Sequence, residues 1–159
     1  MIYIAHRGNL NGPDSINENK PEYLLKAISQ GFFVETDLWV INNTLYLGHD
    51  SPDYKIEIDF LLGIQEYLFC HCKNIDALHF LIKTYSNIEC FYHDKDECVL
   101  TSKNHIWNNI GKQLTDVSIC VMPERDNNNQ IPKNCFGVCT DFPIKYKMNM
   151  QKCNEHLIL

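Results

Sequence analysis

The segment Glu35-Thr36-Asp37 sets two carboxylates one residue apart inside an apolar run, residues 32–39, that reads as a buried strand. Alternate side chains on a strand share a face, so both acids point the same way. Burying two like charges together costs on the order of several kcal/mol unless cations neutralise them. A divalent ion with oxygen ligands meets that need, and the alternative is an ion pair with Arg7 or Lys73. Histidines stand on both sides of the pair, His6 at the end of Met1-Ile2-Tyr3-Ile4-Ala5 and His49 within Gly48-His49-Asp50. An imidazole, with an unperturbed pKa of about 6.5, takes or gives a proton near neutrality.

These groups need a scaffold that brings them together. Residues 2–6 read as a first strand with His6 at its carboxyl end. A polar loop with turn chemistry at Gly12-Pro13-Asp14 follows, then a helix with Pro21 in its first turn, Leu24, Ala27 and Ile28 on its apolar face, and Gly31 past its end. The Glu35–Asp37 strand completes a parallel β-α-β unit. Asn42-Asn43 marks a tight turn that returns the chain toward His49, and Phe60, Leu61 and Ile64 suggest a short helix. Residues 67–73 form a third buried strand, with Phe69, His71 and Lys73 on one face, and Asn74 caps the next helix. Residues 88–93 form a fourth. A short segment stands at 98–100, and further strands are expected near 105–107, 117–122 and 136–140, about seven in all on pattern alone. Asp126-Asn127-Asn128-Asn129-Gln130 reads as a surface loop in place of a further strand and helix.

Taken in order, His6-Arg7-Gly8, Glu18-Asn19, Glu35-Thr36-Asp37, Gly48-His49-Asp50 and Thr140-Asp141-Phe142-Pro143 resemble the motifs of the glycerophosphodiester phosphodiesterase family. The resemblance spans nearly the whole chain and implies one domain over residues 1–159. Its fold would be α/β, a reduced TIM-like (β/α) barrel of the phospholipase C-like phosphodiesterase type with a shortened second half. The implied activity is cleavage of a glycerophosphodiester or lysolipid-type phosphodiester. Here His6 and His49 carry the proton transfers, His6 as base and His49 as acid, while Arg7 and Lys73 bind phosphate. Glu35, Asp37 and His71 hold one divalent metal, Mg or Ca in the first place, with Mn or Zn admitted by an imidazole ligand.

The chain departs from the family where Glu-x-Lys is expected on the third strand and His71-Cys72-Lys73 stands instead. His71 is then either a ligand or a phosphate hydrogen-bond donor. Lys20 replaces an expected threonine after Glu18, which is read with Asp141 as a rim-ordering residue. Tyr92, His93 and Asp94 shape the alcohol pocket or form a second polar layer, and Trp107 walls the pocket or packs in the core, with the core favoured. A lyase that forms a cyclic phosphate is the enzymatic alternative. A phosphate-binding module without turnover, or an interaction scaffold, is the non-enzymatic one.

Composition narrows the partners. With 159 residues, 45% apolar, the chain suits one domain but is short beside the roughly 250 residues of a full eight-stranded barrel. The net charge of −6, with no basic stripe, argues against nucleic acid and leaves a small phosphodiester as the expected partner. No apolar run reaches the roughly 18 residues of a transmembrane segment, and a catalytic His6 leaves no room for a leader. The eight cysteines do not follow zinc-site spacing and read as reduced, buried thiols, so a cytoplasmic location is expected.

Overall fold

Runs of consecutively buried side chains, Ile4 and Ala5 in one and Val34 to Leu38 in the other, mark the parallel strands β1 (Ile2–His6) and β2 (Phe33–Ile41) at the centre of the protein. In the computed structural model, which describes residues 1–126 and 134–155, they are joined by helix α1 (Pro21–Ser29). The helix begins on Pro21 and is followed by Gly31 at φ +79°, the left-handed conformation that stops a helix without penalty for glycine. Leu24 and Ala27 are its buried face, as the apolar spacing predicts.

From β2 the chain turns back through Asn42 and Asn43, both with positive φ, into the antiparallel strands β3 (Thr44–Leu47) and β4 (Tyr54–Ile56). Helix α2 (Ile58–Ile64) leads to β5 (Leu68–Cys72), parallel to β2, and helix α3 (Ile75–Thr84) leads to β6 (Glu89–Phe91), parallel to β5. Asn74 caps α3, its side-chain oxygen accepting from the Ala77 amide at 3.0 Å. The remaining strands are β7 (Cys98–Leu100), β8 (Ile106–Asn109), β9 (Ser118–Val121) and β10 (Gly137–Thr140), followed by helix α4 (Pro143–Glu155).

The architecture corrects the barrel expectation. All ten strands belong to one mixed sheet with the path β4-β3-β2-β1-β10-β9-β8-β7, and β5 and β6 extend from β2. It curls into a half-barrel with few helices, not an alternating TIM-like barrel. The reason lies in the connections: a parallel crossover with its own helix needs roughly a dozen residues. Residues 110–117, between β8 and β9, are too few, and β7 and β8 are antiparallel. Where β6 meets the other half, a turn replaces a strand ladder. The Ser102 amide donates to the Cys90 carbonyl at 2.8 Å, and the Cys90 amide donates to Ser102 Oγ at 3.0 Å. Residues 127–130 of the expected asparagine-rich loop lie outside the described residues.

The curl encloses a small apolar cluster with one side chain from each of six strands: Ile4, Phe69, Phe91, Trp107, Ile119 and Cys139. Trp107 packs in this cluster, stacked on Phe91 at 4.4 Å between ring centroids, and also borders the cavity above it, so both of its expected places apply. The larger core lies on the outer face, where Val34, Leu38, Cys70 and Cys72 meet Leu24, Leu61, Ala77 and Leu81 from the helices. The seven described cysteines are free and, apart from Cys98, buried. Among the described residues, no helix is long and apolar enough to cross a membrane.

Candidate active site

Strand register assembles the site. In the β1–β2 ladder His6 lies opposite Glu35, and in the β2–β5 ladder Asp37 lies opposite His71. All four side chains come from the carboxyl ends of parallel strands above the inner apolar cluster. His49 arrives by a different route. Gly48, at φ +146°, accepts a bond from Trp39 Nε1 to its carbonyl at 2.7 Å and donates its amide to the Asp37 carbonyl at 3.1 Å. A Cβ at residue 48 would collide with the Ser51 carbonyl oxygen and with Asp53, so only glycine lets the chain fold His49 back over Asp37.

Asp37 is fully buried and is the hub of the cluster. One oxygen, Oδ2, accepts from Asn19 Nδ2 at 3.0 Å and lies 3.1 Å from His49 Nδ1 and 3.1 Å from Arg7 Nε. The other, Oδ1, is 2.9 Å from His71 Nδ1 and 3.6 Å from Lys73 Nζ. Burial alone would raise the pKa of this carboxyl. The hydrogen bonds from His49 and His71, with the charges of His71 and Arg7, outweigh burial and hold it well below the usual range.

Glu35 behaves oppositely. Its Oε2 accepts the Arg7 amide at 3.1 Å, while the nearest imidazole nitrogens, from His6 and His71, stand at 4.0 and 3.9 Å. Burial, then the neighbouring Asp37 charge, pushes the Glu35 carboxyl up. The two acids are thus neutralised unequally, and Glu35 is the one a cation would relieve.

Glu35, Asp37 and His71 each offer a ligand atom within 4.8 Å of the others. That span suits an ion with oxygen ligands at about 2.1–2.6 Å. The donor set fits a divalent metal: two carboxylates and one imidazole, with His71 Nδ1 giving up its proton to serve as ligand. The same atoms also fit the ion-pair alternative, since Arg7 and Lys73 already reach Asp37.

His6 is held by a residue that the sequence marked only for the rim. Its Nδ1 lies 2.8 Å from Asp141 Oδ1, which also accepts from Asn9 Nδ2 at 2.8 Å. A carboxylate only accepts, so Nδ1 carries the proton and Nε2 faces Glu35. Burial would depress this imidazole, but the Asp141 hydrogen bond and the Glu35 charge raise its pKa on balance. Asp141 is in turn fixed by its own amide, which donates to Glu124 Oε1 at 2.9 Å.

Arg7 sits at φ +52°, an uncommon conformation for a residue with a side chain, which aims its amide at Glu35. Its guanidinium donates from Nη1 to Glu18 Oε2 and from Nη2 to His49 Nε2, both at 3.1 Å. Glu18 Oε1 accepts from Asn9, so Glu18 orders both Arg7 and the first loop. Lys73 Nζ stands 3.4 Å from His49 Nδ1. All seven site residues named from the sequence therefore meet in one cluster.

Asn19 and His93, outside those seven, complete it. Asn19, at φ +65°, accepts from the Thr36 hydroxyl at 2.7 Å and from the Asp37 amide at 3.0 Å with the same oxygen, fixing the strand as well as the acid. Its signal was present in Glu18-Asn19, but the chemistry of an amide gives no hint of its target. His93 stacks on His71 at 4.6 Å, and its buried Nδ1 has no hydrogen-bond partner among the described residues. Burial, then the charges of His71 and Lys73, lowers its pKa. The cluster opens into a cavity of about 370 Å³ lined by His6, Arg7, Glu35, His49, His71 and His93 on one side and by the ends of β8 and β9 on the other.

Set against family models, curated proteins and solved structures, the chain matches none of them. The expected glycerophosphodiester phosphodiesterase kinship and the link to lipid metabolism therefore gain no support from these comparisons, and the chemistry must be argued from the site.

Proposed function

We propose that this protein is a metal-dependent phosphodiesterase acting on a small diester of the glycerophosphodiester or lysolipid type. One observation carries the reading: two imidazoles, each oriented by a carboxylate, flank the Glu35–Asp37–His71 donor set and open with it into one cavity. Phosphodiester cleavage needs a base, an acid and positive charge near the phosphoryl oxygens. A divalent ion held by Glu35, Asp37 and His71 would supply part of that charge. Arg7 and Lys73 supply more, within reach of the same acids. Asp141 orients His6 and favours its protonated form, which supports His6 as the group that takes the proton. His49, anchored through Nδ1 to Asp37, would protonate the departing oxygen from Nε2 once that nitrogen carries a proton and the substrate phosphate takes over the Arg7 hydrogen bond it now accepts. A cytoplasmic location belongs to the same proposal and is supported by the free thiols.

The test is hydrolysis of bis-p-nitrophenyl phosphate and of an alkyl diester, with and without chelator. We expect chelation to abolish turnover and added divalent metal to restore it. His6→Ala should lower kcat by roughly 10²–10⁴ on both substrates. His49→Ala should do so mainly on the alkyl diester, because p-nitrophenolate leaves without a proton. Turnover that ignores the chelator, or survives both substitutions, would sink the reading. A second reading, a phosphate binder without turnover, is favoured by the Arg7 and Lys73 contacts that already neutralise Asp37. It predicts phosphate-ester binding that is indifferent to metal.

A further inference from the structure

The cavity has two unlike ends. One is the acid–imidazole cluster. At the other, Ile110, Val121 and Met122 offer apolar surface and Arg125 reaches in from the turn after β9. That turn, Pro123–Arg125, is built at a cost. Met122 occupies the left-handed region (φ 53°, ψ 50°) directly before a proline, where a bulky residue stores on the order of 1–3 kcal/mol of strain. It is held there because the Met122 amide donates to the Cys139 carbonyl at 2.8 Å and the Arg125 amide donates to the Met122 carbonyl at 3.0 Å. Strain maintained by neighbouring bonds is a feature of functional segments, and here its result is to carry Arg125 to the cavity wall.

The exposed Arg125 pairs with no carboxylate among the described residues. The adjacent Glu124 uses Oε1 to accept the Asp141 amide. In a chain of net charge −6, an unpaired guanidinium on a cavity wall opposes the overall field and favours an anion locally. The cluster end already carries the phosphoryl-binding cations, so Arg125 addresses a different part of the ligand.

We propose that the ligand of this cavity is a phosphodiester whose departing arm is apolar next to the phosphate and ends in an anionic group, a carboxylate or a second phosphate, received by Arg125. The direction of the ligand rests on the phosphodiesterase reading above. The sign of the charge at the far end does not.

The experiment measures calorimetric affinities for a matched set of phosphonate monoesters in which a methylene replaces the bridging oxygen of one arm, so that this arm cannot be cleaved. The arm ends in carboxylate, phosphate, hydroxyl or trimethylammonium. The carboxylate and phosphate arms should bind about tenfold tighter than the hydroxyl arm, as expected for one charge-assisted contact, and the trimethylammonium arm weakest. Arg125→Ala should bring all four within about twofold, and Arg125→Glu should place trimethylammonium first. Lys103→Ala, an exposed lysine outside the cavity, should leave the order intact and so controls for net charge. Equal affinities, no measurable affinity for any arm, or a ranking that survives Arg125→Ala would overturn the proposal. A protein that ranks these ligands but cleaves no diester would uphold the anionic arm and end the hydrolase reading. One that cleaves diesters without ranking them would do the reverse.

Discussion

Among the described residues, the histidine–carboxylate pairs His6–Asp141 and His105–Glu89 lie at opposite ends of the parallel strands, and of these two only the first belongs to the candidate cluster. At the carboxyl ends, His6 Nδ1 meets Asp141 at 2.8 Å; at the amino ends, His105 Nδ1 meets Glu89 at 2.6 Å. Taken as pairs they are nearly alike. Their surroundings differ. The far face of the His6 ring looks onto a second buried acid, a guanidinium and a cavity. The His105 ring packs on Phe136 at 4.1 Å between centroids and edge-on to Phe69, while Glu89 takes a second hydrogen bond from Thr101 at 2.6 Å. That pair is satisfied within itself and ties β6 to the turn before β8. A hydrogen-bonded imidazole is thus structural by default, and convergence of unlike charges on one open space is what distinguishes a site.

The contrast can be broken first by substitution. His6→Gln should reduce kcat on an alkyl diester by roughly 10²–10⁴, whereas His105→Gln should leave kcat within about twofold of wild type and cost roughly 1–3 kcal/mol in urea unfolding, because Glu89 loses a partner. Equal catalytic losses from both would erase the distinction. Metal sharpens it next. At a hundredfold excess over Kd, a divalent ion should stabilise the wild type by about 2.7 kcal/mol. Glu35→Gln should abolish that gain and Glu89→Gln should keep it, read as the shift in thermal midpoint.

A smaller effect is expected from the orienting acid. Asp141→Asn leaves the His6 contact in place but removes the charge that favours its proton, so kcat should fall by about 10–100-fold, while Glu89→Gln should leave kcat unchanged. The smallest effect concerns acid stability. Hydrogen bonding to His6 and Asn9 overcomes burial and lowers the Asp141 pKa below its ordinary 3.8. A depressed carboxyl stabilises the fold above the unfolded pKa and loses that contribution as pH falls through the folded one. The urea midpoints of wild type and Asp141→Asn should therefore differ at pH 5 and converge below pH 3.8.

Much of the site could be read from the sequence because strand periodicity and carboxyl-end placement are local properties. Glu35 and Asp37 share a face by alternation, and Asn42-Asn43 predicts the hairpin that returns His49. The sheet's curl was not legible, because β7 to β10 are three or four residues long and carry no pattern that tells a parallel neighbour from an antiparallel one. The expected barrel failed for that reason. Strand β4 and helix α4 were likewise missed, the first behind Ser51-Pro52-Asp53 and the second because its sequence is weakly amphipathic. Asp141 was noticed but its partner was not, since His6 lies 135 residues away along the chain.

Asn19 gives the first loop a larger part than its exposure suggests. One amide at the loop's end orients the buried aspartate through both its side chain and its backbone, and the peptide leading to it passes through Ile16, which is 74% exposed. A protease that nicks this outer bend would cut none of the seven cluster residues, yet it would release the strut that holds Asp37. Limited digestion can thus disarm this fold from a distance while leaving its sheet intact.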